Sequence, residues 1–120
     1  MWLYYHEILL ILGAHWLADF SAQTHWQATN KSKNNLALAS HVLTYMLVLG
    51  GCFSLFYDFN SVARFVMYNG LIHFFTDFVT SRLNTYLWNK KDAHTFFVSV
   101  GADQILHYVV LFYSFTVFFR

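Results

Sequence analysis

The chain has 120 residues, 58% of them apolar and 11% charged, with seven Lys or Arg against six Asp or Glu and a formal net charge of +1. Soluble domains carry about 25% charged residues, so these few cannot cover a water-soluble globule that must also place fourteen Phe, eight Tyr and four Trp. The near-neutral charge offers no field for a nucleic-acid backbone, and a single cysteine, Cys52, excludes an internal disulfide.

The first residues, Met-Trp-Leu-Tyr-Tyr, have neither the basic n-region nor the cleavage site of a signal peptide, so they are expected to stay in the mature protein. An apolar segment begins at Trp2 and runs to Phe20, and its helix is expected to reach Gln27, because His15, Asp19, Gln23 and Gln27 fall at steps of four on one face. The stretch from Gln27 to Asn35 is polar and turn-like. A second apolar segment, Leu36 to Tyr57, contains His41, and the short turn Asp58 to Ser61 leads into a third, Val62 to Leu87. On this third segment Asn69, His73, Asp77 and Ser81 repeat the four-residue stripe, and Arg82 follows immediately. After the polar turn Trp88 to Ala93, the last segment, Phe96 to Phe119, carries Ser99, Asp103 and His107 in the same register. Gly13-Ala-His-Trp-Leu-Ala-Asp-Phe20 echoes Gly70-Leu-Ile-His-Phe-Phe-Thr-Asp-Phe78, which suggests two related helical hairpins. Gly13, Gly70 and Gly101 are expected to allow close helix approach.

Each segment is near the ~20 residues that cross a bilayer as helix. Short loops force antiparallel neighbours, so the predicted fold is all-α: one integral membrane domain over residues 1–120, an up-down four-helix bundle with helices at about 2–27, 35–57, 61–88 and 94–119. Lys31, Lys33, Lys90 and Lys91 flank one side and Arg64 and Arg120 the other, so the positive-inside rule puts loops 1 and 3 in the cytoplasm and both termini outside. Trp26 and Trp88 are then interfacial anchors.

Ionisable side chains within such spans are costly, which makes them functional candidates. At about 1.5 Å per residue, Asp19, Asp77 and Asp103 lie roughly 12 to 17 Å from the cytoplasmic helix ends, His15, His73 and His107 roughly 18 to 23 Å, and His41 roughly 9 Å. The order His-then-Asp reverses on the last helix as the chain direction does, so the carboxylates share one level and the imidazoles another. These ligand types at facing helices bind a divalent transition metal such as Zn, Mn, Fe or Ni, as one ion or two. The expected metal ligands are His15, Asp19, His41, His73, Asp77, Asp103 and His107, with Gln23, Gln27 and Gln104 as hydrogen-bonding support. Catalytic roles are expected for Asp77, Asp103 and Arg82 in hydrolysis of a lipid-like phosphoester, with Arg82 and Lys31 or Lys33 placed to hold phosphate at the interface. The alternatives are a proton or metal-ion conduit, and a metal-free hydrogen-bonded core with a purely structural role. His6, Glu7, His25 and His94 are read as interfacial. Zinc-protease, phosphate-loop and serine-hydrolase motifs are all missing from the sequence.

The combination of His15-Trp-Leu-Ala-Asp19-Phe20 with Gln23, Asn30-Lys31-Ser32-Lys33, His41, His73-x-x-x-Asp77 and Asp103-Gln104-x-x-His107 resembles the domain of unknown function 3307 family of small bacterial and phage membrane proteins. The resemblance covers nearly the whole chain and implies a multi-helix membrane protein; together with the spans it gives the expectation of a multi-pass protein of the bacterial inner membrane, with the lipid bilayer as its surroundings. It lends no activity. A bundle this small is also expected to complete its packing as a homo-oligomer.

Overall fold

The computed structural model describes residues 2–120, and Met1 lies outside them. Among the described residues, five α-helices make up the architecture: α1 (Tyr5–Trp16), α2 (His25–Asn30), α3 (Asn35–Ser54), α4 (Phe59–Asn89) and α5 (Ala93–Phe119). A π-helical turn, Leu17–Ser21, extends α1, and no strand occurs among the described residues. The polar turns seen in the sequence become helix starts because their side chains satisfy the orphan N–H groups of the following helix. Asn34 Oδ1 accepts from the Leu36 N–H at 2.8 Å, Asp58 Oδ2 from the Ser61 N–H at 2.9 Å, and Asp92 Oδ1 from the Thr95 N–H at 3.1 Å.

Asp58 and Asp92 are exposed, yet their carboxyls sit below the ordinary value of 3.8, through the Ser61 N–H for the first and the Thr95 hydroxyl and N–H for the second. A lowered folded-state value means that each cap contributes stability above the ordinary carboxylate range and loses it as pH falls through the folded-state value. Amide exchange at Ser61 and Thr95 should therefore speed up on acidification beyond the intrinsic trend. Asp58→Asn and Asp92→Asn keep an acceptor at the cap and should flatten that response. An unchanged acid response in these variants would place its origin elsewhere.

The first predicted helix does not run to Gln27. It stops at Ser21, and α2 begins four residues later, where Thr24 and Gln27 form a reciprocal cap: Thr24 Oγ1 accepts the Gln27 N–H at 3.1 Å and Gln27 Oε1 accepts the Thr24 N–H at 3.0 Å. The stripe of four therefore breaks after Asp19. Gln27, now on α2, donates instead to Ser40 Oγ and Thr44 Oγ1 of α3, at 2.7 and 3.2 Å. α3 also ends at Ser54, three residues before the predicted Tyr57.

α4 packs along both α5 and α3, and α1 with its π-turn lies against α3 and touches α5. The bundle measures 45 × 27 × 20 Å. Its interior has two zones. One is polar, holding His15, Asp19, His41, His73, Asp77, Asp103 and His107. The other is an apolar layer in which Phe53, Phe65 and Phe115 meet Ile11, Leu49 and Leu111. Outside, Leu47, Met67, Leu71, Phe75, Ile105 and Val109 are each more than half exposed. Large apolar side chains thus cover much of the outside, while a polar zone lies within beside the apolar layer.

Four spans are predicted from sequence, but among the described residues only α3 and α5 are both long and apolar enough to cross a membrane. α1 has 12 residues, and α4 carries Arg64, Asn69, His73, Asp77 and Arg82 along its length. Of the three glycines expected at close approaches, Gly70 alone fits that role. A Cβ there would run into the thioether of Met46 on α3, whereas nothing lies within 4 Å of a Cβ built at Gly13 or Gly101. Glu7, expected at an interface, is 3% exposed and paired with Arg120.

Candidate metal centre

Each ionisable pair owes its geometry to helix periodicity. Residues i and i+4 share a face, and Cα–Cβ bonds tilt towards the helix N-terminus, so the second member of a pair leans back over the first. Asp77 reaches His73 in this way (Oδ2 to Nε2, 3.3 Å), and His107 reaches Asp103 (Nε2 to Oδ1, 3.3 Å). Carboxylates and imidazoles therefore interleave, and the two levels expected from Cα depth merge into one cluster. His41 joins them because its ring extends from α3 into the same space.

Asp19 arrives by a different route, on the π-turn. The wider π-turn carries it around the helix relative to unbroken α-spacing, and such turns recur at functional sites. Asp19 Oδ1 faces the Nε2 atoms of His41 at 3.0 Å and His73 at 3.4 Å. Asp77 Oδ2 faces the same two nitrogens at 3.3 Å each, and the nitrogens are 3.2 Å apart.

These four atoms come from the π-turn, α3 and α4 and converge on one point. Two Nε2 atoms carry at most one hydrogen each, so hydrogen bonding cannot account for all five close contacts. Asp19 Oδ1 is itself buried and unbonded among the described residues. A tetrahedral cation with bonds of about 2.0–2.1 Å sets its ligand atoms about 3.3–3.4 Å apart. The observed 3.0–3.4 Å separations match that edge, and two carboxylates neutralise a divalent charge. Asp19, His41, His73 and Asp77 thus form a buried set able to hold a metal ion.

A second set of three shares Asp77 with the first. The other carboxylate oxygen, Oδ1, lies 3.1 Å from His107 Nε2, and His107 in turn faces Asp103 Oδ1. Thr80, one turn from Asp77, donates to Asp103 Oδ1 at 2.6 Å. Four protein ligands close a metal site, and three leave a coordination position open.

His15 does not join either set. Its Nε2 is 2.8 Å from Gln104 Oε1 and its Nδ1 is 3.2 Å from the Tyr45 hydroxyl. The tautomer that serves both contacts has Nε2–H donating to Gln104 and Tyr45 O–H donating to Nδ1. Gln104 then donates through Nε2 to Asp103 Oδ2 at 3.1 Å and to Asp19 Oδ2 at 3.4 Å. His15 and Gln104 therefore brace the carboxylates from behind. His73 is held flat between the Tyr45 ring, at 4.1 Å, and the His107 ring, at 4.2 Å.

Arg82 also lies outside the cluster: it donates to Phe78 O at 3.0 Å and Asn35 Oδ1 at 2.7 Å, with its guanidinium 3.8 Å above the Phe78 ring. The cation that does reach the cluster is Lys31, whose Nζ is 3.3 Å from Asp77 Oδ2. Sequence reasoning placed Lys31 near an interfacial phosphate and missed this contact. It also missed Tyr45 and Thr80, although Tyr45 stands four residues after His41 and Thr80 three after Asp77.

A family model described as "Protein of unknown function (DUF3307)" matches residues 8–120. Comparison with curated proteins and with solved structures gives no match.

Proposed function

Since the chain belongs to the DUF3307 family, which carries no assigned activity, we propose from its geometry that it is an integral membrane hydrolase with a two-cation His/Asp centre, acting on a phosphoester of an amphiphile. The observation that carries the proposal is Asp77, whose two oxygens serve two ligand sets at once. A shared carboxylate of this kind would suit paired cations, which when bound would polarise a phosphoryl oxygen and activate water near neutral pH.

In this proposal Asp19, His41, His73 and Asp77 would hold the first cation, and Asp77, Asp103 and His107 the second. The second, with one protein ligand fewer, would keep one coordination position open. Water adds to phosphorus, the bond from phosphorus to the leaving oxygen breaks, and the departing alcohol takes up a proton. Lys31, the ammonium closest to Asp77, sits where it can steady charge on the phosphoryl oxygens. Asp103 is the carboxylate best placed to accept the water's proton, because Thr80 and Gln104 already orient it.

A bilayer setting is supported by the apolar exterior and by helix length. At about 1.5 Å per residue, α4 extends about 46 Å and α5 about 40 Å, enough for a hydrocarbon core near 30 Å thick. We place α3, α4 and α5 in the membrane together with α1 and its π-turn, because α4 turns its polar stripe inward, and the lysines of loops 1 and 3 favour the cytoplasmic side for those loops. The apolar layer around Phe53 interrupts the polar zone, which favours a blind pocket over a conduit.

The test is elemental analysis of the detergent-purified chain with single-ligand variants. Two equivalents of a divalent metal are expected in the parent. His41→Ala should lose one and keep the other, and His107→Ala should do the converse. No bound metal after incubation with Zn, Mn, Fe and Ni would rule out the hydrolytic mechanism.

A further inference from the structure

Beside the cluster lies a cavity of about 680 Å³ that the ligand sets do not use, bounded by the α2–α3 connection, the last turns of α4 and the first turn of α5. Its chemistry is uneven. Lys31 and Lys33 line one side, and among the described residues no Asp or Glu lines any part of it. Trp88, Phe96 and Phe97 add aromatic surface to its lining. Ser81, only 8% exposed, and Asn84 also line it, and Ser81 Oγ and Asn84 Oδ1 are buried with no hydrogen-bond partner among the described residues.

A buried hydroxyl without a partner is costly unless a ligand completes it. Lys31 and Lys33 face a single nearby carboxylate, that of Asp77 at 3.3 Å from Lys31 Nζ, and the positive charge left over selects an anion. An adjoining aromatic wall selects a hydrophobic tail on that anion. The volume falls within the ordinary range for small-molecule sites.

The cavity also connects with the ligand cluster. Ser81 is one helical turn beyond Asp77, and Lys31 belongs to both places, lining the cavity while its Nζ contacts Asp77 Oδ2. An anion held between Lys31 and Ser81 would thus lie beside the carboxylate that joins the two ligand sets.

We infer that this cavity is the binding site for the phosphate headgroup of a single- or double-chain amphiphile, with Lys31, Lys33 and Ser81 holding the phosphate and Trp88, Phe96 and Phe97 receiving the first carbons of its tail. Lys31 is a positioning residue that leads the phosphate towards Asp77. The inference takes its reaction from the hydrolase proposal, but binding itself can be measured separately.

Binding of dodecyl phosphate and of inorganic phosphate to the full chain in a maltoside detergent, followed by ³¹P NMR with metal content measured on the same samples, tests the inference. Lys33→Met removes a charge at the rim and should fold normally, while Ser81→Leu fills the cavity. Each should weaken dodecyl phosphate binding about tenfold or more, the scale of one lost charge-assisted contact, with metal content unchanged. Stronger binding of dodecyl phosphate than of inorganic phosphate supports a membrane lipid as the source. Equal binding of the two would overturn the tail-binding wall. Dodecyl phosphate affinity that is undetectable in the parent, or the same in the parent and both variants, would overturn the site altogether. Variant-sensitive binding by a protein that holds no metal would sustain the headgroup site and refute the hydrolase proposal alone.

Discussion

Asp77→Asn is expected to abolish metal binding at both positions, lowering affinity by more than the about 10–100-fold typical of losing a group that merely supports a ligand. The substitution is nearly isosteric, so packing around α4 stays. What changes is charge: one oxygen becomes an amide nitrogen, which cannot ligate, and the negative charge that serves His41, His73 and His107 together disappears. Arg82→Ala is the matched control, because its guanidinium is spent on Phe78 and Asn35 away from the cluster. It should keep the parental metal content. His15→Ala should fall between the two, since His15 acts through Gln104. Elemental analysis and competition with a chelator measure all three. An Asp77→Asn protein that retained one tightly held equivalent would show that the two sets do not depend on a common carboxylate.

The second large effect concerns stability. Phe53 is fully buried, with ring contacts to Phe65 at 4.7 Å, Phe119 at 5.7 Å and Phe115 at 6.1 Å. Phe53→Ala should destabilise the fold by about 3 kcal/mol, the low end of the range for such truncations. The low end applies in the proposed bilayer setting, where lipid would supply little hydrophobic driving force between helices and lost packing would be the main cost. Unfolding in mixed micelles at rising dodecyl sulfate fraction gives the number. Metal stoichiometry should stay at its parental value under native conditions, since Phe53 touches no ligand. A loss below about 1 kcal/mol would mean that the aromatic layer is loosely packed.

Much of the site is legible in the sequence because a four-residue step is a physical statement about one helix face. His73 with Asp77, and Asp103 with His107, pair on spacing alone. Depth arithmetic does less well, because it tracks Cα positions. It sets His41 apart from His73, although side-chain reach brings their Nε2 atoms to 3.2 Å. The end of the first helix is also readable: Thr24-His-Trp-Gln27 is a capping pattern, but the polar stripe through Gln27 masks it. The π-turn has no comparable signal. It differs from an α-turn by one residue of hydrogen-bond register, and nothing in Leu17-Ala-Asp-Phe-Ser21 announces that change. Spacing groups His15 with Asp19, whereas its Nε2 lies 2.8 Å from Gln104 Oε1 and 3.5 Å from Asp19 Oδ2. Lys31 lies in a loop, where periodicity gives no direction for a side chain.

The shared carboxylate has a thermodynamic corollary. Were two cations bound as proposed, leaning on one residue would couple their affinities: if the first altered the hold on the second by some factor, the second would alter the hold on the first by the same factor. Titrations with one metal would then return a single linked isotherm. A protein loaded with two different metals would be a distinct species, with its own stability, and not an average of the two pure forms.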